Sequence, residues 1–169
     1  IALDSRNWPL AVHHYQEALR VAEKVGDLRQ VAWSLSNLGP ALRASGCNDE
    51  AAACFERAIA ILGDIDDPVH QAAARTNLGN LYLIMDQYEA ARALYEQAEQ
   101  VFREVRDLVR LASITTNLSL AYRQLGEPDR AAHYADASID FNRQIGNYNG
   151  VINAMNCLAE ALLDANRDD

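Results

Sequence analysis

An internal repeat of 40 residues constrains this chain more than any other feature. The triplets Asn37-Leu38-Gly39, Asn77-Leu78-Gly79, Asn117-Leu118-Ser119 and Cys157-Leu158-Ala159 follow one another at that step. Independent columns keep it: Ala11, Ala51, Ala91 and Ala131; Tyr15, Phe55, Tyr95 and Ala135; Ala18, Ala58, Ala98 and Ser138. A period of this length without insertions means that one supersecondary unit is stacked on copies of itself.

The punctuation shows what the unit is. Asp27, Asp67, Asp107 and Asn147 each precede an apolar-periodic run. Asp and Asn side chains accept a free first-turn N–H, so these are helix N-caps, and Pro68 takes the favoured first helical position. At the other hinge stand Gly46, Asp86, Gly126 and Asn166, residue types that tolerate a left-handed helix end. Each period therefore holds two helices and no strand. The A helices are predicted at about 28–45, 68–85, 108–125 and 148–165, and the B helices at about 9–25, 49–65, 89–105 and 129–145. Positive φ is expected at residues 46, 126 and 166. Within the third A helix, Leu111, Ile114, Leu118, Tyr122 and Leu125 recur at the steps of an amphipathic helix. Gly39, Gly79, Ser119 and Ala159 are small, which lets a B helix approach its A helix closely.

Composition limits the function classes. Half of the 169 residues are hydrophobic and Gly and Pro are few, which excludes a disordered or loop-rich chain. The net charge of -9 repels phosphate backbones, so nucleic acid is not an expected partner. No apolar run reaches the ~18 residues of a membrane span, so no membrane partner is expected either. Cys47, Cys54 and Cys157 form no CxxC and are odd in number, which points to a reducing, cytoplasmic location. His13 and His14 are adjacent and so point in different directions; His70 and His133 are isolated; Asp64, Asp66 and Asp67 read as caps and solvent charge. Neither a metal motif nor a phosphate-binding glycine motif is present. No enzyme, cofactor or metal is expected.

The pattern resembles the tetratricopeptide repeat family, with a small residue in helix A, Leu before it and Tyr three after. Leu38-Gly39 with Leu42, Leu78-Gly79 with Tyr82, and Leu118-Ser119 with Tyr122 fill those places. Ala51, Phe55 and Ala58, then Ala91, Tyr95 and Ala98, fill the later ones. The family period is about 34 residues. The longer step with Asn-Leu-Gly is similar to the branch found in kinesin light chains, spindle-orientation adaptors and bacterial peptide-sensing regulators. Leu35, Arg75, Thr115 and Met155 stand where the family has Trp, and the Pro that ends helix B is absent. The resemblance implies an all-α, right-handed α-solenoid of antiparallel helix pairs. Residues 1–169 then form one solenoid fragment with repeats at 1–26, 27–66, 67–106, 107–146 and 147–169, the first and last partial. The chain starts at Ile1 without Met and both ends fall inside the repeat, so a parent with further repeats on each side is expected.

In such a solenoid the A helices line a concave face offered to partners. Carried over from the family, the candidate peptide-binding residues are Trp33, Asn37 and Arg43 in the first A helix and Thr76, Asn77, Asn80 and Leu83 in the second. The third supplies Thr116, Asn117 and Arg123, and the fourth Asn153 and Asn156. A carboxamide donates and accepts, so the ladder Asn37, Asn77, Asn117 suits the backbone of an extended peptide. The alternative is that these amides hold neighbouring A helices together. Arg43 and Arg123 either fork onto partner carboxylates or sit solvated near helix C-termini. The expected function is a protein-interaction scaffold that takes an extended segment. The alternatives are the sensor arm of a larger bacterial regulator and a structural oligomerisation spacer. Leu158, Ala161 and Leu162 of the last A helix are expected to be exposed, which would allow self-association through the solenoid ends.

Overall fold

The computed structural model describes residues 7–166, which fold into eight helices with no strand among them. The B helices are α1 (Trp8–Val25), α3 (Asn48–Asp64), α5 (Tyr88–Glu104) and α7 (Pro128–Gln144). The A helices are α2 (Leu28–Ala44), α4 (Pro68–Ile84), α6 (Leu108–Gln124) and α8 (Tyr148–Ala165). The expected A-helix tail at residues 1–5 lies outside the described residues.

All four expected N-caps are made. Asp27 accepts from the Gln30 N–H at 3.1 Å, Asp67 from His70 at 3.3 Å, Asp107 from Arg110 at 3.0 Å and Asn147 from Gly150 at 3.1 Å. Gly46 and Gly126 are left-handed as expected, at φ 83° and 72°, and so is Asp86. Asn166 is not: its φ is -79°, which corrects the expectation at that position. Its backbone N–H and its side-chain Nδ2 both reach the Leu162 carbonyl, so the orphan acceptor is satisfied without a left-handed turn. A second left-handed column precedes the N-caps, at Gly26, Asp66, Arg106 and Gly146. There the N–H of Asp67 reaches back to Leu62 O and that of Asp107 to Phe102 O, both at 2.9 Å, a Schellman closure.

The chain divides into two compact units, Ile1–Leu81 and Tyr82–Asp169. In the first, α2 packs on α1 and α3. Its core gathers Val31, Ala32, Leu35, Ala58, Leu62 and Ala74. Gly39 is required here: a Cβ on it would lie 2.4 Å from the ring of Phe55, which is itself 1% exposed. In the second unit α6 packs on α5, α7 and α8. Ser119 has a Cβ where Gly39 has none, and Ala135 stands where Phe55 would, so the small partner compensates for the larger one. At α8, Leu158 is half-buried and Leu162 is exposed, but Ala161 is fully buried, against expectation. It shares its column with Ala41, Leu81 and Ala121, all buried. Within its unit α8 has only α6 and α7 for neighbours, so that face is the covered one.

Candidate protein-binding groove

In the first unit the seam between α2 and α4 stays open as a groove of about 390 Å³. Trp33, Ser36 and Asn37 come to it from α2, one helical turn apart, and Ala73 and Asn77 from α4. Ala32, Leu62 and Ala74 contribute apolar surface. Trp33 is 62% exposed, a large indole left beside an apolar cleft. The Asn37 amide donates to the Trp33 carbonyl at 2.9 Å, one turn back along its own helix. Asn77 also lines the groove, and its amide has no hydrogen-bond partner among the described residues.

One end of the groove is charged. Asp67, the cap of α4, accepts from Arg29 Nη1 at 2.6 Å on one carboxylate oxygen, and its other oxygen lies 2.8 Å from His70 Nδ1. Burial works against the carboxylate, but hydrogen bonds from His70 and the charge of Arg29 outweigh it and hold the group below its usual range. Arg29 and His70 remain mostly exposed, so both present polar edges at the rim. Sequence reading missed this trio because it took Asp67 for a cap alone and His70 for an isolated residue. The available signal was Arg29, the single cation of a column otherwise filled by Val69, Val109 and Asn149.

The remaining candidates are placed otherwise. Arg43 is exposed near the end of α2 and does not line the groove. The Thr76 hydroxyl donates to Ala72 O at 2.9 Å on its own helix. Asn80 is half-buried and has a partner, and Leu83 is half-buried in the second unit. Within that unit, Thr116 Oγ1 meets Ser138 Oγ at 2.7 Å. The Asn117 side chain hydrogen-bonds the Tyr95 phenol, whose titration burial pushes far up while that bond pulls against it. Arg123 ties α6 to α8 through Glu160 and, at 3.5 Å, Asp164. Asn153 and Asn156 are exposed on α8. Among the described residues no group of His, Cys, Asp and Glu could hold a metal ion, and no helix is long and apolar enough to cross a membrane.

A family model described as tetratricopeptide repeat matches residues 1–64 and 70–144. Among solved structures the chain is similar to BtubC (BKLC) from P. vanneervenii, at 21% identity and a TM-score of 0.78, over 95% of this chain and 71% of that one. It is similar to a putative kinesin light chain of Podosopora anserina with nearly identical TPR-like repeats, at 18% identity and a TM-score of 0.81, over 96% and 82%. A third likeness is to a Signal Transduction ATPase with Numerous Domains from Pyrococcus horikoshii that carries a tetratricopeptide repeat sensor, at 19% identity and a TM-score of 0.82. There the match covers 92% of this chain and 24% of that one. At these identities the likeness is one of fold. No curated protein sequence matches the chain.

Proposed function

Because the chain belongs to the tetratricopeptide repeat family, we propose that it is a protein-binding scaffold whose first unit takes an extended segment of a partner into the seam between α2 and α4. One observation carries this reading: the seam is open, with an amide on Asn77 that has no partner among the described residues beside the exposed indole of Trp33. Asn77 pairs with the backbone of the segment, Trp33 covers an apolar side chain, and Arg29 and His70 meet a polar or acidic neighbour at the rim. Asn37 lines the same cleft. The scaffold acts by binding and carries out no reaction, and its three free cysteines fit a reducing cytoplasm.

The test is selection of random peptides displayed on phage against the purified chain, followed by calorimetric titration of the selected peptides. Asn77→Ala should weaken them by roughly 2- to 10-fold, the worth of one net hydrogen bond, with an unchanged melting temperature. Trp33→Ala should weaken them more, as loss of an aromatic anchor does. Selected peptides indifferent to both substitutions would refute the groove.

The likeness to the Pyrococcus horikoshii protein favours a second reading, in which this scaffold is the sensor arm of a larger regulator. Its mark would be an ATPase or DNA-binding module in the same polypeptide.

A further inference from the structure

The pair Asn149-Gly150 occurs once in the sequence, in the first turn of α8 in the second unit. Its glycine is fixed by packing. Gln30, His70 and Arg110 hold that place in the other A helices, but a Cβ on Gly150 would collide with the Asn142 amide and lie 2.5 Å from Asn147 Nδ2. The packing therefore leaves an asparagine followed by the residue that least hinders ring closure onto its side chain. Asn149 is exposed, and its carboxamide has no hydrogen-bond partner among the described residues, so its carbonyl carbon is open to attack.

We propose that Asn149 is a site of spontaneous deamidation, governed by opening of the first turn of α8. The Gly150 backbone nitrogen loses its proton to hydroxide and adds to Asn149 Cγ. A C–N bond forms, the bond from Cγ to the amide nitrogen breaks, and that nitrogen takes a proton from water and leaves as ammonia. Water then opens the succinimide at either carbonyl, giving aspartate or isoaspartate. The closed helix holds this step back. The Gly150 N–H is donated to Asn147 Oδ1 at 3.1 Å, and the Val151 N–H to the Asn147 carbonyl at 3.0 Å. Both bonds end on Asn147, so the cap sets how often the turn opens. The two products act differently. Aspartate at 149 places a charge in the first turn, where the helix dipole favours it. Isoaspartate adds a methylene to the backbone, draws the Gly150 N–H away from its cap and loosens α8 on α6 and α7.

The test is incubation of the purified chain at neutral pH, followed by peptic digestion in acid and mass spectrometry that places each conversion of carboxamide to carboxylate. Asn149 should convert ahead of Asn147, Asn153 and Asn156, and faster as pH rises, because the attacking nitrogen must lose its proton. The folded chain should convert roughly 10- to 100-fold more slowly than the same chain in urea, the worth of two net hydrogen bonds. Asn147→Ala should quicken the folded chain by roughly fivefold, and Asn147→Ser, which keeps a capping oxygen, should stay near the parent. The fraction that carries isoaspartate should show faster hydrogen exchange in α8. Conversion in urea with none in the folded chain overturns the inference. So does conversion of another asparagine ahead of Asn149, or a rate that Asn147→Ala leaves unchanged, which would detach the reaction from the cap.

Discussion

The same seam between successive A helices occurs in both units, and it is finished in opposite ways. Between α2 and α4 it is an open groove with an ion pair at one end. Between α6 and α8 the chain fills it with its own amides. Asn142 stands in the place of Leu62, Ser138 of Ala58, Asn147 of Asp67 and Gly150 of His70. The Asn142 Nδ2 donates to Ser138 O at 2.9 Å and to Ser138 Oγ at 3.1 Å, and its Oδ1 accepts from Asn147 Nδ2 at 2.8 Å. Gly150 makes room for this: a Cβ there would lie 1.9 Å from Asn142 Oδ1. The backbone repeats; the side chains differ, at these four places among others. Positions that recur at the step build the scaffold, and positions that depart from it decide whether a seam is closed or left for a partner.

The contrast extends to the B-helix side. In the second unit Tyr122 stacks on Tyr134 at 5.3 Å, with the Arg92 and Arg130 guanidiniums 5.8 and 5.4 Å from its ring. Burial, then the charge of Glu99, push the Tyr134 phenol up to about 12. Leu42 and Cys54 hold those two places in the first unit. At these two places the second unit sets stacked phenols where the first has an aliphatic side chain and a thiol.

Exchanging the seam residues tests this directly, and the largest effect should come from Leu62→Asn. Leu62 is 4% exposed within the apolar core. An amide there keeps the Ala58 carbonyl as an acceptor, but its own oxygen would face Asp67, which offers only acceptor oxygens where Asn147 offers an N–H. Lost apolar burial and an unpaired carbonyl together should cost about 3 kcal/mol. The first unit should then melt roughly 10–20 °C lower by calorimetry. A loss below about 1 kcal/mol would mean that the two seams are interchangeable and that the comparison has no energetic content.

The scaffold was legible in the sequence because its determinants are local and periodic. Caps, hinge residues and the small-residue column act within one helix or one turn, so Asp27, Asp67, Asp107 and Asn147 could be read as caps directly. The left-handed column at residues 26, 66, 106 and 146 was less visible because Arg106 and Asp66 stand where Gly would announce it. Part of the groove was legible too: Trp33, Asn37 and Asn77 do line one cleft. What could not be read is which polar side chains the fold itself consumes. Asn117 belongs to the same column as Asn77, yet its partner is Tyr95 on another helix. Arg123 resembles a free cation until Glu160 and Asp164 arrive from α8. These pairings depend on distances between helices, which the repeat step does not encode.

The reverse exchange, Asn142→Leu, should cost less, about 1–2 kcal/mol. Leu fills a similar volume, and Ser138 Oγ keeps Ala112 O at 3.1 Å and the Thr116 hydroxyl at 2.7 Å. The loss falls on Asn147 Nδ2, which can turn to water. Hydrogen exchange should show faster opening of α7 and α8 with α2 and α3 unaffected. Equal slowing or quickening in both units would show that the amide seam is not a local device.

The smallest effect should come from Asp67→Asn, which gives the first seam the cap of the second. Asn serves as well as Asp at an N-cap, so the bond from the His70 N–H should survive. The pairs with Arg29 and His70 lose their charge. Both partners are largely exposed, so the change should destabilise by no more than about 1 kcal/mol, and less at high salt. Its signature is the pH dependence. The folded-state carboxyl titrates below its unfolded value, so its contribution is fully present above about pH 3.9 and disappears as pH falls through the lower folded value. Thermal melts between neutral pH and the acid end should therefore show a stability difference between the parent and Asp67→Asn that narrows only at the acid end. Asp107, held low by Arg110 in the second unit, supplies the control: its own acid sensitivity should persist in the variant. A difference that stays constant across the acid range would show that Asp67 acts through its shape as a cap and not through its charge, and the ionic end of the open seam would then have no part in distinguishing it from the closed one.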